Sequence, residues 1–371
     1  MQLQPFQRVY GSLYLRLVQL WPDECDSRVV NMVYLLMGIW GARSVQTGRI
    51  AAYIPVLAKK MSIVRRLERF LDNGAVRVKA WYKPIALGII AAASVVGEIH
   101  LVLDTTKVST HHRLLMVGVA YRRRVLPLAW TWVSSSRGHS STGKQVALLS
   151  YVRSLIPSGI RVSLVGDCEF GHNPVLSAMQ QWGWDYALRQ SGQILTQLPG
   201  RQDWVRLDSL ISKRGDCRFI GEVKLAACHG YRTNLMLCWD KRYPEPWLLA
   251  TNLTKPFLIL RLYHRRAWVE NMFGDLKDNG FDFERSALRH FLRLSRLTLA
   301  VCLLYVWFLA FGTDLVKLDL HKEVDRADHR NLSLFRIAWD YLQRVLQWAI
   351  PFDVTFEPFF GFLPGFHPCG W

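Results

Sequence analysis

Ile99-His100-Leu101-Val102-Leu103-Asp104 opens the part of the chain whose reading decides the fold. A short apolar run ending on an acid is the pattern of a buried strand whose last residue emerges at a sheet edge. The next two runs, Leu114–Tyr121 and Val125–Val133, flank the tight basic turn Arg122-Arg123-Arg124 and predict a hairpin. A helix-compatible stretch follows at Ser140–Leu155, then Val162–Val165 as a strand ending at Asp167, a helix around Pro174–Trp182 and a strand Asp185–Leu188. That succession is mixed α/β. Asp104 and Asp167 are expected just past the ends of neighbouring strands, where their carboxylates converge at one edge.

Downstream of this sheet, residues 190–256 change to short β-favouring runs, Trp204–Leu207, Phe219–Val223, Asn234–Cys238 and Trp247–Ala250, separated by Gly, Asp and Pro turns. They read as a β-rich insertion. After Pro256 the pattern is helical through about Gln347 and ends in an aromatic, Pro- and Gly-rich tail, Pro351–Trp371. Upstream, the first 95 residues read as helical, with an apolar stretch Val29–Trp40 and then a basic segment, Arg43–Lys83. The expected organisation is a helical domain at 1–92, a mixed α/β domain with the β-rich insertion at 93–312 and a C-terminal helical region with a tail at 313–371.

Composition narrows the function. Lys and Arg number 47 against 29 Asp and Glu, a formal net charge of +18, which calls for a polyanionic partner, nucleic acid or an anionic membrane surface. Leu297–Thr313 is uncharged but only 17 residues long, and a buried core helix explains it better than a membrane span. The seven cysteines are odd in number, scattered and never spaced Cys-x-x-Cys, and no charged-then-apolar leader opens the chain. Reduced thiols in a cytoplasm, without a structural zinc, follow.

In the basic segment, Ser62 is placed to N-cap a helix with an apolar stripe of Ile63, Val64, Leu67, Phe70 and Leu71. Arg65, Arg66 and Arg69 then face solvent, as on a DNA-contacting helix or a merely solvated basic face.

The most specific local pattern is Tyr263, Arg266, Glu270 and Lys277. At about 100° per residue, Arg266, Glu270 and Lys277 fall about −60°, −20° and −40° from Tyr263, so all four share one helix face. A carboxylate set between cations and a phenol suits a metal-bound phosphate, although an ordinary amphipathic helix with i,i+4 ion pairs has the same spacing. Combined with Asp104 and Asp167, Glu270 completes three carboxylates from separate elements. Such a set suits two divalent ions, Mg²⁺ or Mn²⁺, in cleavage of a phosphodiester.

At these residues the chain resembles the insertion-sequence transposases that carry an Asp-Asp-Glu triad, a Tyr-Arg-Glu-Lys signature and a β-strand insertion. The likeness lies in Leu103-Asp104-Thr105-Thr106, in Val165-Gly166-Asp167-Cys168-Glu169-Phe170-Gly171 and in the fully spaced signature, over roughly residues 98–285. The resemblance implies an RNase H-like α/β catalytic domain with Asp104, Asp167 and Glu270 as metal ligands. It assigns Tyr263, Arg266 and Lys277 to transposon-end DNA, and Trp247, in Pro246-Trp247-Leu248-Leu249-Ala250-Thr251, to stacking on a flipped base. The departure is Cys168-Glu169, in place of an Arg-Gly-like pair, which leaves Glu169 as a rival carboxylate read as a bystander. The activity implied is nicking at terminal inverted repeats and strand transfer into target DNA by a homodimer assembled on DNA, in a prokaryotic, nucleoid-associated cytoplasmic setting. A catalytically inactive DNA-binding derivative and a basic membrane-associated protein are the alternatives, the first opposed by the intact triad.

Overall fold

A ten-stranded mixed sheet forms the frame on which the acids are carried. The computed structural model describes residues 3–108, 111–134, 138–226, 230–348, 350 and 352–363, so Cys228, Cys369 and the end of the expected tail lie outside the described residues. The chain divides into two compact units. One comprises Gly97–Thr106 and Arg113–Met272; the other comprises Met1–Val96, Lys107–His112 and Phe273–Trp371.

The helical unit begins with α1 (Leu3–Leu20), α2 (Asp26–Ala42), α3 (Thr47–Ile50), α4 (Lys60–Asp72) and α5 (Val78–Ser94). On α4 the apolar stripe Ile63, Val64, Leu67, Phe70 and Leu71 is buried as its spacing requires. Ser62 is not its cap: Lys59 holds the extended N-cap position without a side-chain bond, and Ser62 lies inside the first turn. Arg65 and Arg69 are exposed. Arg66 is partly buried, its Nε donating to Asn31 Oδ1 at 2.6 Å and its guanidinium 5.0 Å above the Tyr34 ring.

The sheet unit follows with β1 (Glu98–Lys107), β2 (His112–Tyr121), β3 (Arg124–Ser134), α6 (Thr142–Arg153), β4 (Arg161–Gly166), α7 (Asn173–Trp182) and β5 (Asp185–Arg189). Its strands stand in the order β3-β2-β1-β4-β5, with β1, β4 and β5 parallel, which is the α/β arrangement of an RNase H-like sheet. The β-rich segment adds β6 (Leu195–Gln197), β7 (Trp204–Arg206), β8 (Cys217–Leu225), β9 (Tyr231–Cys238) and β10 (Trp247–Thr251). It continues the same sheet: β10 pairs antiparallel with β5, and β9, β8, β6 and β7 follow outward. A strand edge left unpaired at β5 would expose a row of backbone donors and acceptors, and β10 satisfies them. β6 was not legible in the sequence because Leu195-Thr196-Gln197 lacks the adjacent aromatic and β-branched pair that marks the equally short β7 at Trp204-Val205.

The chain then forms α8 (Pro256–His264), a 3-10 turn Arg265–Ala267, α9 (Trp268–Leu276), α10 (Phe291–Lys317) and α11 (Leu334–Trp348). The apolar run Leu297–Thr313 lies within α10, whose most hydrophobic window is 94% buried inside the protein, so this helix is a core element. It packs against α2, α4, α5 and α11 within the helical unit. Gly312 permits the close crossing with α11, since a Cβ there would stand 2.1 Å from the Leu334 carbonyl oxygen. Arg296 on α10 is 6% exposed and donates to the carbonyls of Leu71 at 2.7 Å and Val76 at 3.2 Å. It satisfies the open carbonyl end of α4.

Candidate carboxylate site

The register of two parallel strands places the first two acids. β1 and β4 pair from Glu98↔Arg161 to Leu103↔Gly166, so Asp104 and Asp167 each stand one residue beyond the last pair. Adjacent strands lie about 5 Å apart, which brings the two side chains to the same edge. Asp104 is within its strand, since β1 runs on to Lys107, whereas Asp167 follows the end of β4. Gly166 makes room beneath: a Cβ there would lie 2.9 Å from the buried Phe170 ring and 3.3 Å from the Leu103 carbonyl.

Both aspartates divide their oxygens in the same way. Asp104 Oδ1 accepts the Thr105 N–H at 2.8 Å, and Asp167 Oδ1 accepts the Glu169 N–H at 2.9 Å. Their Oδ2 atoms face Arg266, whose Nη2 is 3.2 Å from Asp104 and 3.8 Å from Asp167. Arg266 Nη1 also contacts Glu270 Oε1 one helical turn on. A single guanidinium therefore touches all three carboxylates.

The charge balance of this cluster is unfavourable as it stands. One cation faces three acids, and Asp104 is only 4% exposed. Burial, the largest cause, pushes the Asp104 carboxyl up to about 7; Arg266 and the Thr105 N–H oppose this, while Asp167 and Glu270 reinforce it. Burial works against the charge on Arg266, but Asp104, Tyr263, Glu270 and Asp167 together hold its pKa above the ordinary value. Among the described residues no three His, Cys, Asp or Glu side chains are gathered closely enough to enclose a metal by themselves. The donor set is nonetheless all oxygen and in excess of negative charge, and one cation reaches every member, so it fits a hard divalent ion.

The other expected residues are distributed differently. Tyr263 to Lys277 is not one helix: α8, a 3-10 turn and α9 follow one another. The winding tightens between Tyr263 and Glu270, and Tyr263 is buried while Glu270 is exposed, so the two do not present one common solvent face. Tyr263 is 4% exposed, burial raises its phenol to about 12, and its ring meets Trp247 edge-on at 5.0 Å. Trp247, on β10, also packs against Tyr243 at 5.0 Å and His264 at 4.7 Å. Lys277 lies one residue past α9; its Nζ donates to the Lys107 carbonyl at 2.9 Å and pairs with Glu284 at 2.5 Å.

Glu169 is the residue whose part the sequence did not convey. It is 5% exposed, and Oε1 accepts from the Ser140 N–H at 2.8 Å and Ser140 Oγ at 2.6 Å, while Oε2 accepts from Thr105 Oγ1 at 2.7 Å. Arg113 Nη2 is 3.6 Å from Oε2 and 3.1 Å from Thr105 Oγ1. Glu169 thus binds the residue after Asp104 and, through its own N–H, Asp167. Burial opposes its charge, but the Ser140 and Thr105 donors and Arg113 hold its pKa below the ordinary value. The position two residues after Asp167 was visible in the sequence; its donors come from distant segments.

Comparison with known proteins adds a family. The Transposase DDE domain matches residues 97–307, more than half of the chain. The chain is also similar to a solved structure, the cryo-EM structure of the piggyBac transposase synaptic complex with hairpin DNA, with a TM-score of 0.38 and 10% identity over 94% of this chain and 84% of that one. No curated protein sequence matches it.

The raised Asp104 carboxyl has a stability consequence whose sign is fixed. Below the usual carboxylate range, folded and unfolded chains both keep the proton. Between that range and about 7 the unfolded chain has released a proton that the folded chain retains, so stability falls as pH rises through this window. Asp104→Asn removes the buried charge. In metal-free buffer its thermal midpoint is expected to fall several degrees less than that of the native chain between about pH 5 and pH 8. Equal falls in both proteins would show that burial at Asp104 is not felt.

Proposed function

The chain belongs to the DDE transposase family, and we propose that Asp104, Asp167 and Glu270 are the acids that hold its divalent metal ions at a DNA phosphodiester. The observation that carries this assignment is the contact of one guanidinium with all three carboxylates. The protein is a DNA transposase, and its family generally uses divalent metal ions. Two ions, Mg²⁺ or Mn²⁺, are the number and kind an oxygen-only set suits. Such ions, when bound, supply a nucleophilic water or 3′-hydroxyl at neutral pH and neutralise charge on the leaving oxygen.

The side chains divide the remaining work. Asp104 and Asp167 keep Oδ1 on backbone N–H groups, so their Oδ2 atoms are fixed in direction before any ion arrives. Glu270, with its side chain 60% exposed, approaches from α9. Arg266 balances the acids and offers a planar fork to phosphate oxygens. Trp247 offers an aromatic face for a flipped base, and the buried Tyr263 supports that ring from below. Lys277 contributes positive charge near the DNA, anchored by the Lys107 carbonyl. The DNA partners are the element's terminal inverted repeats and the target duplex. Recognition of the ends falls to the basic helices ahead of the sheet, with Arg65 and Arg69 on the solvent face of α4 and Arg66 bracing it against Tyr34. Two ends must be processed together and each triad engages one, so the working form is a dimer bridged by DNA. A net charge of +18 opposes self-association until DNA neutralises it.

Replacing Asp104, Asp167 or Glu270 by Ala is expected to lower Mg²⁺-dependent cleavage of the element's ends by about a thousandfold or more, with DNA affinity held within a few fold because phosphate contacts supply it. Cleavage surviving at any one position removes that acid from the site.

Selectivity is best probed without truncation, because α10 is buried against α2, α4 and α5 and would lose its cover. Arg65→Glu with Arg69→Glu should reduce the preference for the element's ends over random duplex and flatten the salt dependence by about 2. An unchanged preference would move recognition elsewhere in the chain.

Light scattering should report a monomer in the absence of DNA and a two-protomer complex on paired end duplexes at moderate salt. A stable DNA-free dimer, or full activity from one protomer, contradicts this assembly.

A further inference from the structure

We propose that the hairpin tip Arg122-Arg123-Arg124 is a phosphate-binding element that grips the DNA strand passing Glu270. The proposal rests on Glu270 belonging to the reaction centre. The tip is a two-residue turn between Tyr121, the last residue of β2, and Arg124, the first of β3. Both central residues have left-handed backbones, with φ 46° at Arg122 and 65° at Arg123. This type of turn selects Asn-Gly, because a side chain at positive φ crowds the backbone. Two arginines hold these positions instead, beside a third, so the turn carries conformational cost and mutual charge repulsion at once. An anionic partner relieves the repulsion, and the backbone cost is what remains when residue type is set by charge and not by the turn.

Its placement indicates which partner. Asn271, the residue after Glu270 on α9, donates its Nδ2 to the Arg123 carbonyl at 3.1 Å and ties the tip to the helix bearing the third acid. Arg124 Nη1 donates to that same carbonyl at 3.1 Å, and the Arg122 guanidinium stands 5.4 Å above the Tyr121 ring. The Arg123 side chain is exposed. A rigid turn that presents adjacent guanidinium forks beside a carboxylate centre for phosphodiester chemistry matches the backbone phosphates of the strand being processed, not its bases.

The test uses the full chain with Arg122→Asn and Arg123→Gly, which installs the sequence that the turn prefers while removing both charges. Its thermal midpoint should be equal to or above that of the native chain, so weaker binding cannot be ascribed to misfolding. Affinity for a random-sequence duplex at moderate salt is expected to fall roughly tenfold, and the slope of log affinity against log salt to become shallower by about 1 to 2. A companion with Arg122→Lys and Arg123→Lys should keep the native salt slope. Native affinity and slope in the Asn-Gly protein would overturn the proposal, as would a loss of affinity with the slope unchanged or an equal loss in the Lys companion. Binding is read without cleavage, so failure here is separable from failure of the acid assignment, which cleavage by Glu270→Ala would expose.

Discussion

Three carboxylates, two at one sheet edge and one on α9, share the guanidinium of Arg266, and this is the constraint on which the sheet unit depends. Like charges at that separation repel, and burying Asp104 adds a desolvation penalty, so the fold must hold them together against their own electrostatics. The parallel β1–β4 ladder supplies the restraint. Its backbone bonds fix the level of Asp104 and Asp167, and each aspartate gives one oxygen to a backbone N–H before any other partner is considered. The site stores an electrostatic demand for cation, and the family to which the chain belongs generally uses divalent metal ions.

Glu169 shows how such a site is kept in register. A fourth acid beside the triad would worsen the repulsion were it not fully engaged elsewhere. Ser140, Thr105 and Arg113 engage it, and the same bonds fasten the segment following β4 to the residue following Asp104. The geometry of the two aspartates is therefore maintained by a buried carboxylate that bonds the residue after Asp104 and whose N–H bonds Asp167. Its neighbour Gln145 extends the network, donating to Ser140 Oγ at 2.9 Å and to the Glu169 carbonyl at 3.2 Å.

The β-rich segment and the long apolar helix solve different problems in the two units. Residues 195–251 widen the sheet beyond β5 and carry Trp247 to the strand beside Tyr263 and His264. In the helical unit, α10 is apolar around nearly its whole circumference because it is surrounded by other helices, and hydropathy alone could not distinguish that from a lipid environment.

The sequence by itself determined most of the element types and the local positions of the three candidate acids. The period changed from helical to strand at Glu98, the hairpin and its Arg turn were framed by two apolar runs, and the buried stripe of α4 appeared at its five expected positions. Asp104, Asp167 and the Arg266–Glu270 spacing were readable from local pattern, two apolar runs that each close on an acid and a four-residue spacing, although Asp104 lies inside β1 and only Asp167 follows a strand end. Tertiary structure alone decided the rest. Whether Tyr263 shares a face with Glu270 depended on a three-residue change of winding that no periodicity announces, and Lys277 falls just beyond the end of α9. Whether the insertion stood apart or joined the sheet depended on the open edge of β5. Glu169, read as a bystander, and Arg66, expected to face solvent, are held by segments far away in sequence, because a buried charge takes its partners from whatever the fold brings within hydrogen-bonding reach.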